Sequence, residues 1–423
     1  MTVSSGSRNT GAVMQSKQQT ETWNKPWVRP RHAVITAIAR CVMGPVIRHM
    51  YGVQAETYTG PDTEPCLILY NHQTPCDQFF VGMSFHRPVY YLATEDIFSK
   101  GWISSLLRWA VAPIPFIKQT TDTNALGLMM KVAREGGSIA IAPEGNRTYS
   151  GKTEYMSPAI TFLARRMRLP IVLYRIEGGY GVQPRWSDGI RKGHMRGYAA
   201  EVIRPEEYAK MTGQELFSRI RKGLDVCEAS ADGTYASDRL AEFLERVVYV
   251  CPFCGLSSFR SSGNEIACQK CGRKTRYHED KHLEGIGFES PFAFVNDWYE
   301  YQKTFVNGLD LLRFCEAPMY EDEVSVFRVI VYQKKQRLEK QALLRLYGDR
   351  IEMEGGDGKK QVMPFDSIAF VALIGRNRLN LSFGGTVYQF RGDQRFNAMK
   401  YMHMYYRYRN MTGENSNGEF LGL

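Results

Sequence analysis

The stretch CLILYNHQTPCD, residues 66–77, joins an apolar run to a polar turn. The run that starts at Cys66 predicts a short buried strand, and Pro75 interrupts regular structure after it. A His and an Asp five positions apart diverge by about 140° on a helix, so His72 and Asp77 would not meet there. On a strand-to-helix turn they can meet, with Asp77 where a first-turn carboxylate belongs.

This spacing predicts a chemical role for the pair. An Asp bound to one imidazole nitrogen fixes the tautomer and leaves the other nitrogen to accept a proton. The chain has eight histidines, so one such spacing does not by itself exclude a loop histidine with a purely structural role.

Two further apolar runs, Ser138–Ala142 and Ile171–Tyr174, predict strands of the same kind. Helical patterns at Asp122–Arg134 and Ser157–Met167 lie between or beside them. Uniformly apolar strands separated by helices indicate an α/β domain with a mostly parallel sheet. A charged stretch, Glu206–Glu245, predicts helix at the end of this block.

A second polar turn, IAPEGNRT at residues 141–148, also follows an apolar strand. Strand ends of an open parallel sheet converge on one crevice, so the two turns are expected to be neighbours. Gly145 permits close backbone approach, and the planar fork of Arg147 suits phosphate oxygens. Lys152 adds charge nearby. A surface turn with incidental charges is the alternative interpretation.

Three motifs occur in a familiar order: Asn71-His72-x4-Asp77, then PEGNR at 143–147, then LPIV at 169–172. Together they resemble the four-block acyltransferases, a family that includes the lysophosphatidic acid and glycerol-3-phosphate acyltransferases. The resemblance covers about Tyr58 to Val202. It implies that His72 is the general base that deprotonates an acceptor hydroxyl, while Asp77 orients it.

The resemblance also implies the substrates. The acyl donor would be acyl-CoA or acyl-acyl carrier protein, and the acceptor would be lysophosphatidic acid or a related glycerophospholipid precursor. Direct attack is implied, with no acyl-enzyme, so Cys76 is left outside the catalytic set. The expected substrate-binding residues are Asn71, Lys118, Glu144, Gly145, Asn146, Arg147 and Lys152.

Three departures from the family pattern concern the acceptor. The second block usually reads Phe-Ile-x-Arg, and here Gln119 stands at the Arg position while Lys118 offers only a point charge. Asn146 stands where Thr is common, and the second proline expected near Leu173 is absent. These departures leave open a different lysophospholipid or polar lipid as acceptor.

Four cysteines in two C-x-x-C pairs, separated by thirteen residues, predict a structural zinc ribbon. The expected Zn²⁺ ligands are Cys251, Cys254, Cys268 and Cys271. A redox dithiol is the competing interpretation, but one pair would suffice for it. Because structural zinc sites are closed, no catalysis is expected there.

The chain is basic, with a formal charge of +10, which fits anionic partners. From Lys25 to Met50 it has basic residues, no acidic ones and many aliphatics, which suits a bilayer interface or a helix packed on its own domain. Arg40 and a break expected at Gly44-Pro45 argue against spanning. With no signal peptide pattern, we expect a peripheral protein on the cytoplasmic face of the cell membrane.

Two other classes of function fit the sequence less well. A non-catalytic membrane adaptor would need neither of the two polar turns. The expected zinc ribbon lacks the dense basic stripe of a nucleic-acid-binding site, so no nucleic-acid partner is expected. Trp102 and the aliphatic residues after it predict core packing, with an acyl-chain groove or lipid contact as alternatives. The strand-rich C-terminal block, ended by a helix at Gln394–Arg409, resembles a pleckstrin-homology-like sandwich.

The predicted organisation has seven parts. They are a disordered tail at 1–24, basic amphipathic membrane-associating helices at 25–57, the acyltransferase domain at 58–246, the zinc ribbon at 247–282, a helical linker at 283–317, the pleckstrin-homology-like domain at 318–412 and a flexible tail at 413–423.

Overall fold

Seven strands of the first block form one sheet. In this computed structural model they are β1 (Val53–Ala55), β2 (Leu67–Tyr70), β3 (Val89–Thr94), β4 (Ile114–Phe116), β5 (Ser138–Ile141), β6 (Ile171–Glu177) and β7 (Met195–Ile203). Their order is β1-β7-β6-β2-β5-β3-β4, and each neighbouring pair is parallel except β6 with β7. The sheet is thus mostly parallel, as the apolar runs predict.

The structure describes residues 25–61, 64–94, 97–99, 101–116, 123–330 and 333–413. The predicted tail at 1–24 lies outside these residues, as does the tail at 413–423 apart from residue 413. Lys118 is also outside them.

Helices cover both faces of the sheet. They are α1 (Pro30–Tyr51), α2 (Asp77–Ser84), α3 (Trp102–Val111), α4 (Thr123–Arg134), α5 (Ala159–Met167), α6 (Gly179–Val182), α7 (Pro205–Tyr208) and α8 (Gly213–Leu224), with 3₁₀ turns at Ile97–Ser99 and Leu244–Arg246. Leu67 and Leu69 of β2 pack in one core with α4, α5 and α8. Ile68 and Tyr70 pack in a second core with α1 and α2. Alternate side chains of the central strand therefore hold two helical layers.

Helix α1 runs without interruption, so the break expected at Gly44-Pro45 is wrong. An interior proline costs roughly 3 kcal/mol, and the burial of Ile47 and Tyr51 on the domain offsets that cost. Among the described residues α1 is the one helix long and apolar enough to cross a membrane, and 11% of its most apolar window is buried. Length and apolarity alone do not separate a spanning helix from one that lies on a bilayer.

The helix predicted across Glu206–Glu245 ends much earlier, at Leu224. Beyond that residue, backbone groups find tertiary partners in place of helical ones. The N–H of Glu228 donates to Gly151 O at 2.7 Å, and that of Tyr235 donates to Glu279 O at 2.9 Å. These long-range bonds satisfy the backbone as well as a helix would.

The cysteine-containing block is a small antiparallel unit. Its strands are β8 (Val250–Cys251), β9 (Gly255–Leu256), β10 (Phe259–Ser262), β11 (Glu265–Cys268), β12 (Lys274–Tyr277) and β13 (Leu283–Gly285). Strand β13 pairs with β12, so the sheet of this block includes Leu283–Gly285. Helix α9 (Val295–Asn307) and a 3₁₀ turn at Leu311–Phe314 follow.

The C-terminal block is a seven-stranded antiparallel sheet closed by one helix. Its elements are β14 (Tyr320–Val329), β15 (Gln336–Leu346), β16 (Arg350–Gly355), β17 (Lys360–Pro364), β18 (Ile368–Ile374), β19 (Arg378–Phe383), β20 (Thr386–Arg391) and helix α10 (Met399–Thr412), with a 3₁₀ turn at Phe365–Ser367. The order is β17-β16-β15-β14-β20-β19-β18. The likeness to a pleckstrin-homology sandwich stays a prediction.

One hydrophobic core spans the last two blocks and reaches the first. It joins Tyr249 and Val250 of the cysteine-containing block to Tyr401 of α10, and it includes Tyr149 and Trp186 of the first block. Because these side chains share one packed interior, the C-terminal sheet is held against the first block.

Candidate active site

His72 follows β2 by two residues, and its Nδ1 lies 2.7 Å from Oδ2 of Asp77. Asp77 is the first residue of α2 and is fully buried, whereas the His72 side chain is 23% exposed. The carboxylate accepts the Nδ1–H, which assigns the tautomer and leaves Nε2 as the nitrogen that can take a proton. The strand-to-helix turn thus brings together the two residues that the spacing singled out.

Asp77 is held by three further hydrogen bonds. The N–H of Gln73 donates to Oδ2 at 2.7 Å, and the N–H and hydroxyl of Thr74 donate to Oδ1 at 2.9 and 2.6 Å. A carboxylate with this many donors cannot rotate freely, so it presents a fixed acceptor to the imidazole. Sequence reasoning missed Gln73 and Thr74; an Asp at a helix start that accepts from the preceding turn was the available signal.

Glu144 ties the two polar turns together. Its Oε1 accepts the N–H of His72 at 3.0 Å, and its Oε2 accepts the N–H of Glu154 at 3.0 Å. The N–H of Thr148 also donates to His72 O at 3.0 Å. Burial raises the pKa of Glu144 to about 8, although the two N–H donors oppose the shift. Both oxygens are used to position backbone, and a substrate role for Glu144 stays a prediction.

Asn71 is also occupied by backbone. Its Nδ2 donates to Ile176 O at 2.8 Å, and its Oδ1 accepts the N–H of Ile176 at 2.7 Å. The side chain is buried, and its two hydrogen bonds continue the contact between β2 and β6 beyond the last backbone pair. Both polar atoms of the Asn71 side chain are thus bound to the backbone of Ile176. The substrate contact expected for Asn71 stays a prediction.

Arg147 lies beside the His72 turn, because it directly precedes Thr148. Its Nη1 is buried and has no hydrogen-bond partner among the described residues. Burial lowers the pKa of Arg147 to about 9, and the nearby charges of Arg185 and Arg376 lower it further. A buried N–H of a cation without an acceptor is unfavourable, so this position favours an anionic ligand.

The remaining predicted residues are placed differently. Gly145 is exposed, has φ +69°, and leaves open space where a Cβ would be. Asn146 is half-buried in the same turn, and the Lys152 side chain is exposed, while its carbonyl accepts the hydroxyl of Thr148 at 2.6 Å. Lys118 lies outside the described residues.

The end of α1 reaches this turn. The hydroxyl of Tyr51 donates to Oε1 of Gln183 at 2.8 Å and lies 3.2 Å from Sγ of Cys76. Burial raises the pKa of the Cys76 thiol. No local pattern predicts this contact between the basic helix and the polar turn, because it joins residues 25 positions apart.

The four ribbon cysteines gather in one cluster, and their sulfur atoms lie within 4.8 Å of one another. The Sγ atoms of Cys251 and Cys271 are 3.8 Å apart, and those of Cys254 and Cys268 are 3.6 Å apart. A tetrahedral site with Zn–S bonds of about 2.3 Å has S···S edges of about 3.8 Å. The arrangement therefore fits a zinc ion.

Residues 53–176, which contain both polar turns, match the protein-family model described as Acyltransferase. This segment is similar to that family, and the match leaves most of the chain outside it. A chloroplast 1-acyl-sn-glycerol-3-phosphate acyltransferase of Brassica napus, BAT2, is 25% identical to this chain over 138 residues. That alignment covers 32% of this chain. The chain therefore spans only 39% of the length of the curated relative.

A solved structure shows a weaker likeness. The 1-acyl-sn-glycerophosphate (LPA) acyltransferase PlsC of Thermotoga maritima matches with a TM-score of 0.39 and 15% sequence identity. The match covers 51% of this chain and 85% of that one. A TM-score of this size supports no conclusion about the fold.

The segment that matches the family model thus places an Asp-oriented imidazole next to a cationic side chain. His72 is oriented from below by Asp77 and held through its backbone by Glu144, at the carboxyl ends of β2 and β5. Such a site can deprotonate a hydroxyl while Arg147 attracts an anionic group on the same molecule.

Proposed function

We propose that the chain is a membrane-surface O-acyltransferase. It transfers a fatty acyl group from acyl-CoA or acyl-acyl carrier protein to the hydroxyl of lysophosphatidic acid or a related glycerophospholipid precursor. The observation that supports it best is the 2.7 Å contact between His72 and Asp77 within the segment that matches the Acyltransferase family model.

In the proposed mechanism, Nε2 of His72 takes the proton of the acceptor hydroxyl as its oxygen attacks the thioester carbonyl. The tetrahedral intermediate then expels the thiolate, which recovers the proton from the imidazolium, so an ester and a free thiol are formed. The Asp77 carboxylate holds the imidazole in one tautomer and stabilises its charged form. Positioned proton transfer of this kind contributes about 10²–10⁴-fold in rate.

Cys76 has no place in this mechanism. Its thiol is half-buried, and burial raises its pKa, so the reactive thiolate is disfavoured. Direct attack by the acceptor, without an acyl-enzyme on this residue, agrees with that environment.

Arg147 supports an acceptor that carries phosphate. Its buried Nη1 has no acceptor among the described residues, and phosphate oxygens form strong charge-assisted bonds with guanidinium. A lysophospholipid with a different headgroup, or another polar lipid, remains the second acceptor class, because the departures in the second and third blocks affect this contact.

An apolar patch supports the membrane location. Helices α1 and α3 pack together, and their exposed large apolar side chains are Val34, Ile38, Val42, Met43, Val46, Met50, Trp102, Ile103, Leu106 and Trp109. The core packing expected for the stretch after Trp102 is therefore wrong, since Trp102 is 75% exposed. Large exposed apolar side chains on two packed helices mark a membrane or protein contact, and nearby basic residues favour an anionic bilayer.

The two halves of the patch are linked at Arg31. Its Nε donates to Trp109 O at 3.0 Å, and its guanidinium lies 5.3 Å from the centre of the Trp109 ring. At its other end α1 contacts Cys76 through Tyr51. Lipid bound at the patch would therefore lie close to the His72 turn, on what we propose is the cytoplasmic face of the membrane.

We assign the cysteine cluster to structural Zn²⁺, held by Cys251, Cys254, Cys268 and Cys271. The ion would stabilise a ribbon whose packing fixes the C-terminal sheet against the acyltransferase-family domain. The ion has no proposed role in the chemistry.

Acyl transfer by the purified protein in detergent or liposomes tests the proposal. Acyl-CoA and acyl-acyl carrier protein are offered against lysophosphatidic acid, other lysophospholipids and glycerol 3-phosphate, with His72→Ala in parallel. An ester product that is absent with His72→Ala supports the function and identifies the acceptor. No product from folded, zinc-loaded protein across the whole panel favours the membrane adaptor instead.

A further inference from the structure

One guanidinium connects the candidate active site to the C-terminal sheet. Arg185 is 2% exposed; its Nη1 donates to Arg147 O at 2.9 Å and its Nε donates to Gly375 O at 2.9 Å. Gly375, Arg376 and Asn377 form the turn between β18 and β19, which we call the β18–β19 turn. The C-terminal sheet therefore meets the active-site block at the residue expected to bind the acceptor's anion.

The next residue of this turn is a second cation close enough to Arg147 to lower its pKa. Arg376 has a side chain that is 35% exposed, and its Nη1 lies 3.4 Å from Oδ1 of Asp188. That carboxylate is already bound on both oxygens by Arg246, at 2.7 and 3.1 Å. Two guanidinium groups thus share one carboxylate, and positive charge remains in excess.

Nearby carboxyl groups do not balance this excess. Asp77 is engaged by His72 and its turn, and burial raises the pKa of both Glu144 and Glu154, which disfavours their charged forms. Arg147 meanwhile keeps a buried Nη1 with no partner among the described residues. Clustered cations in a poorly solvated site raise the local concentration of anions and favour one that is multiply charged.

We propose that the anion site for the acceptor is composite, with Arg147 from the acyltransferase-family domain and Arg376 from the β18–β19 turn. Its ligand is a phosphomonoester, whose two charges and three terminal oxygens suit two guanidinium groups. Arg376 is then a specificity residue for the proposed reaction, and the C-terminal sheet is part of the substrate site. This inference rests on the proposed function.

The test compares Arg376→Ala and Arg376→Lys with Lys359→Ala in the full chain. Lys359 is 88% exposed in the turn between β16 and β17, at the opposite edge of the same sheet. KM and kcat are measured for lysophosphatidic acid and for monoacylglycerol, which lacks phosphate. Binding of a short-chain, monomeric lysophosphatidic acid is measured by calorimetry, and melting temperatures report folding.

We expect Arg376→Ala to raise KM and Kd for the phosphomonoester about tenfold, the size expected for one charge-assisted contact. The kcat for both acceptors and the KM for monoacylglycerol should change by less than about twofold. Arg376→Lys should raise KM and Kd for the phosphomonoester less than Arg376→Ala does. Lys359→Ala should match wild type. If alanine lowers the melting temperature, Arg376→Gln, which keeps a polar amide beside Asp188, replaces it.

Two results overturn the composite site: unchanged KM and Kd for lysophosphatidic acid in Arg376→Ala, or equal losses with both acceptors. If the wild-type protein acylates none of the acceptors, the proposed reaction is refuted instead. Calorimetry still decides the site in that case: weaker phosphomonoester binding by Arg376→Ala supports it, and equal or absent binding rejects it.

Discussion

The backbone N–H of His72 donates to Oε1 of Glu144 at 3.0 Å, although 72 residues separate the two in sequence. The second oxygen of the same carboxyl group accepts the N–H of Glu154 at 3.0 Å. One buried side chain therefore sets the distance between the turn after β2 and the turn after β5. The imidazole is positioned through its ring by Asp77 and through its backbone by Glu144.

The proposed catalytic roles of His72 and Asp77 can be tested against a control inside the same motif. His72→Ala should lower kcat about 10²–10⁴-fold, because the proton acceptor is lost. Asp77→Asn should also lower kcat strongly, because its amide cannot stabilise the imidazolium as a carboxylate does. Cys76→Ser should keep activity close to wild type. Steady-state acyl transfer measures all three, and an inactive Cys76→Ser with the wild-type melting temperature would contradict direct attack.

Glu144 should make stability depend on pH. Burial raises the pKa of Glu144 from 4.5 to about 8, so between these values the folded protein keeps a proton that the unfolded chain has released. This contribution to stability is complete below the window and is lost as pH rises through it. Melting temperature should therefore fall from pH 5 to pH 8.5 less steeply for Glu144→Gln than for wild type.

The Glu144→Gln protein should also be less stable than wild type at pH 5, since the amide offers only one acceptor to two N–H groups. The difference in stability between Glu144→Gln and wild type should narrow as pH rises. Glu316→Gln, at an exposed position, is the matched control and should follow wild type. Parallel curves for Glu144→Gln and wild type would show that this carboxyl is not the titrating group.

The apolar patch predicts a difference between two equally exposed aliphatic residues. Val42 on α1 is 64% exposed, and Leu312, away from the patch, is 68% exposed. Val42→Asp should weaken vesicle binding about tenfold or more, because an inserted valine contributes roughly 1.5–3 kcal/mol and a carboxylate is repelled by anionic lipid. Leu312→Asp should bind as wild type in co-sedimentation with anionic vesicles. Equal binding by both variants would remove the patch from the membrane contact.

The cysteine cluster predicts one zinc ion per chain. Cys254→Ser should lose the metal and lower the melting temperature, because metal binding and ribbon folding are coupled. Cys227→Ser, at an exposed cysteine outside the cluster, should keep both. Elemental analysis by mass spectrometry and thermal unfolding with and without a chelator provide the measurements. Metal-free wild-type protein that melts at the same temperature as the zinc-loaded form would speak against a structural ion.

Local sequence patterns predict much of the fold. The apolar runs of β2, β5 and β6 predict buried strands, since a strand buried on both faces needs apolar residues at every position. Likewise, His72 and Asp77 are five residues apart, so a single turn decides their contact. Three expectations failed where packing decided: α1 continues through Pro45, the helix expected to reach Glu245 ends at Leu224, and Trp102 faces outward.

By itself, the sequence determined the α/β character of the first block, the strand-to-helix turn with His72 and Asp77, and the two cysteine pairs, because each depends on neighbours a few positions away. Tertiary structure alone decided the rest. Asn71 clamps Ile176 across 105 residues, Glu144 holds His72 across 72, and Arg185 reaches Gly375 across 190. Such contacts depend on how buried polar groups find partners once the sheets have packed, and no local periodicity encodes that choice.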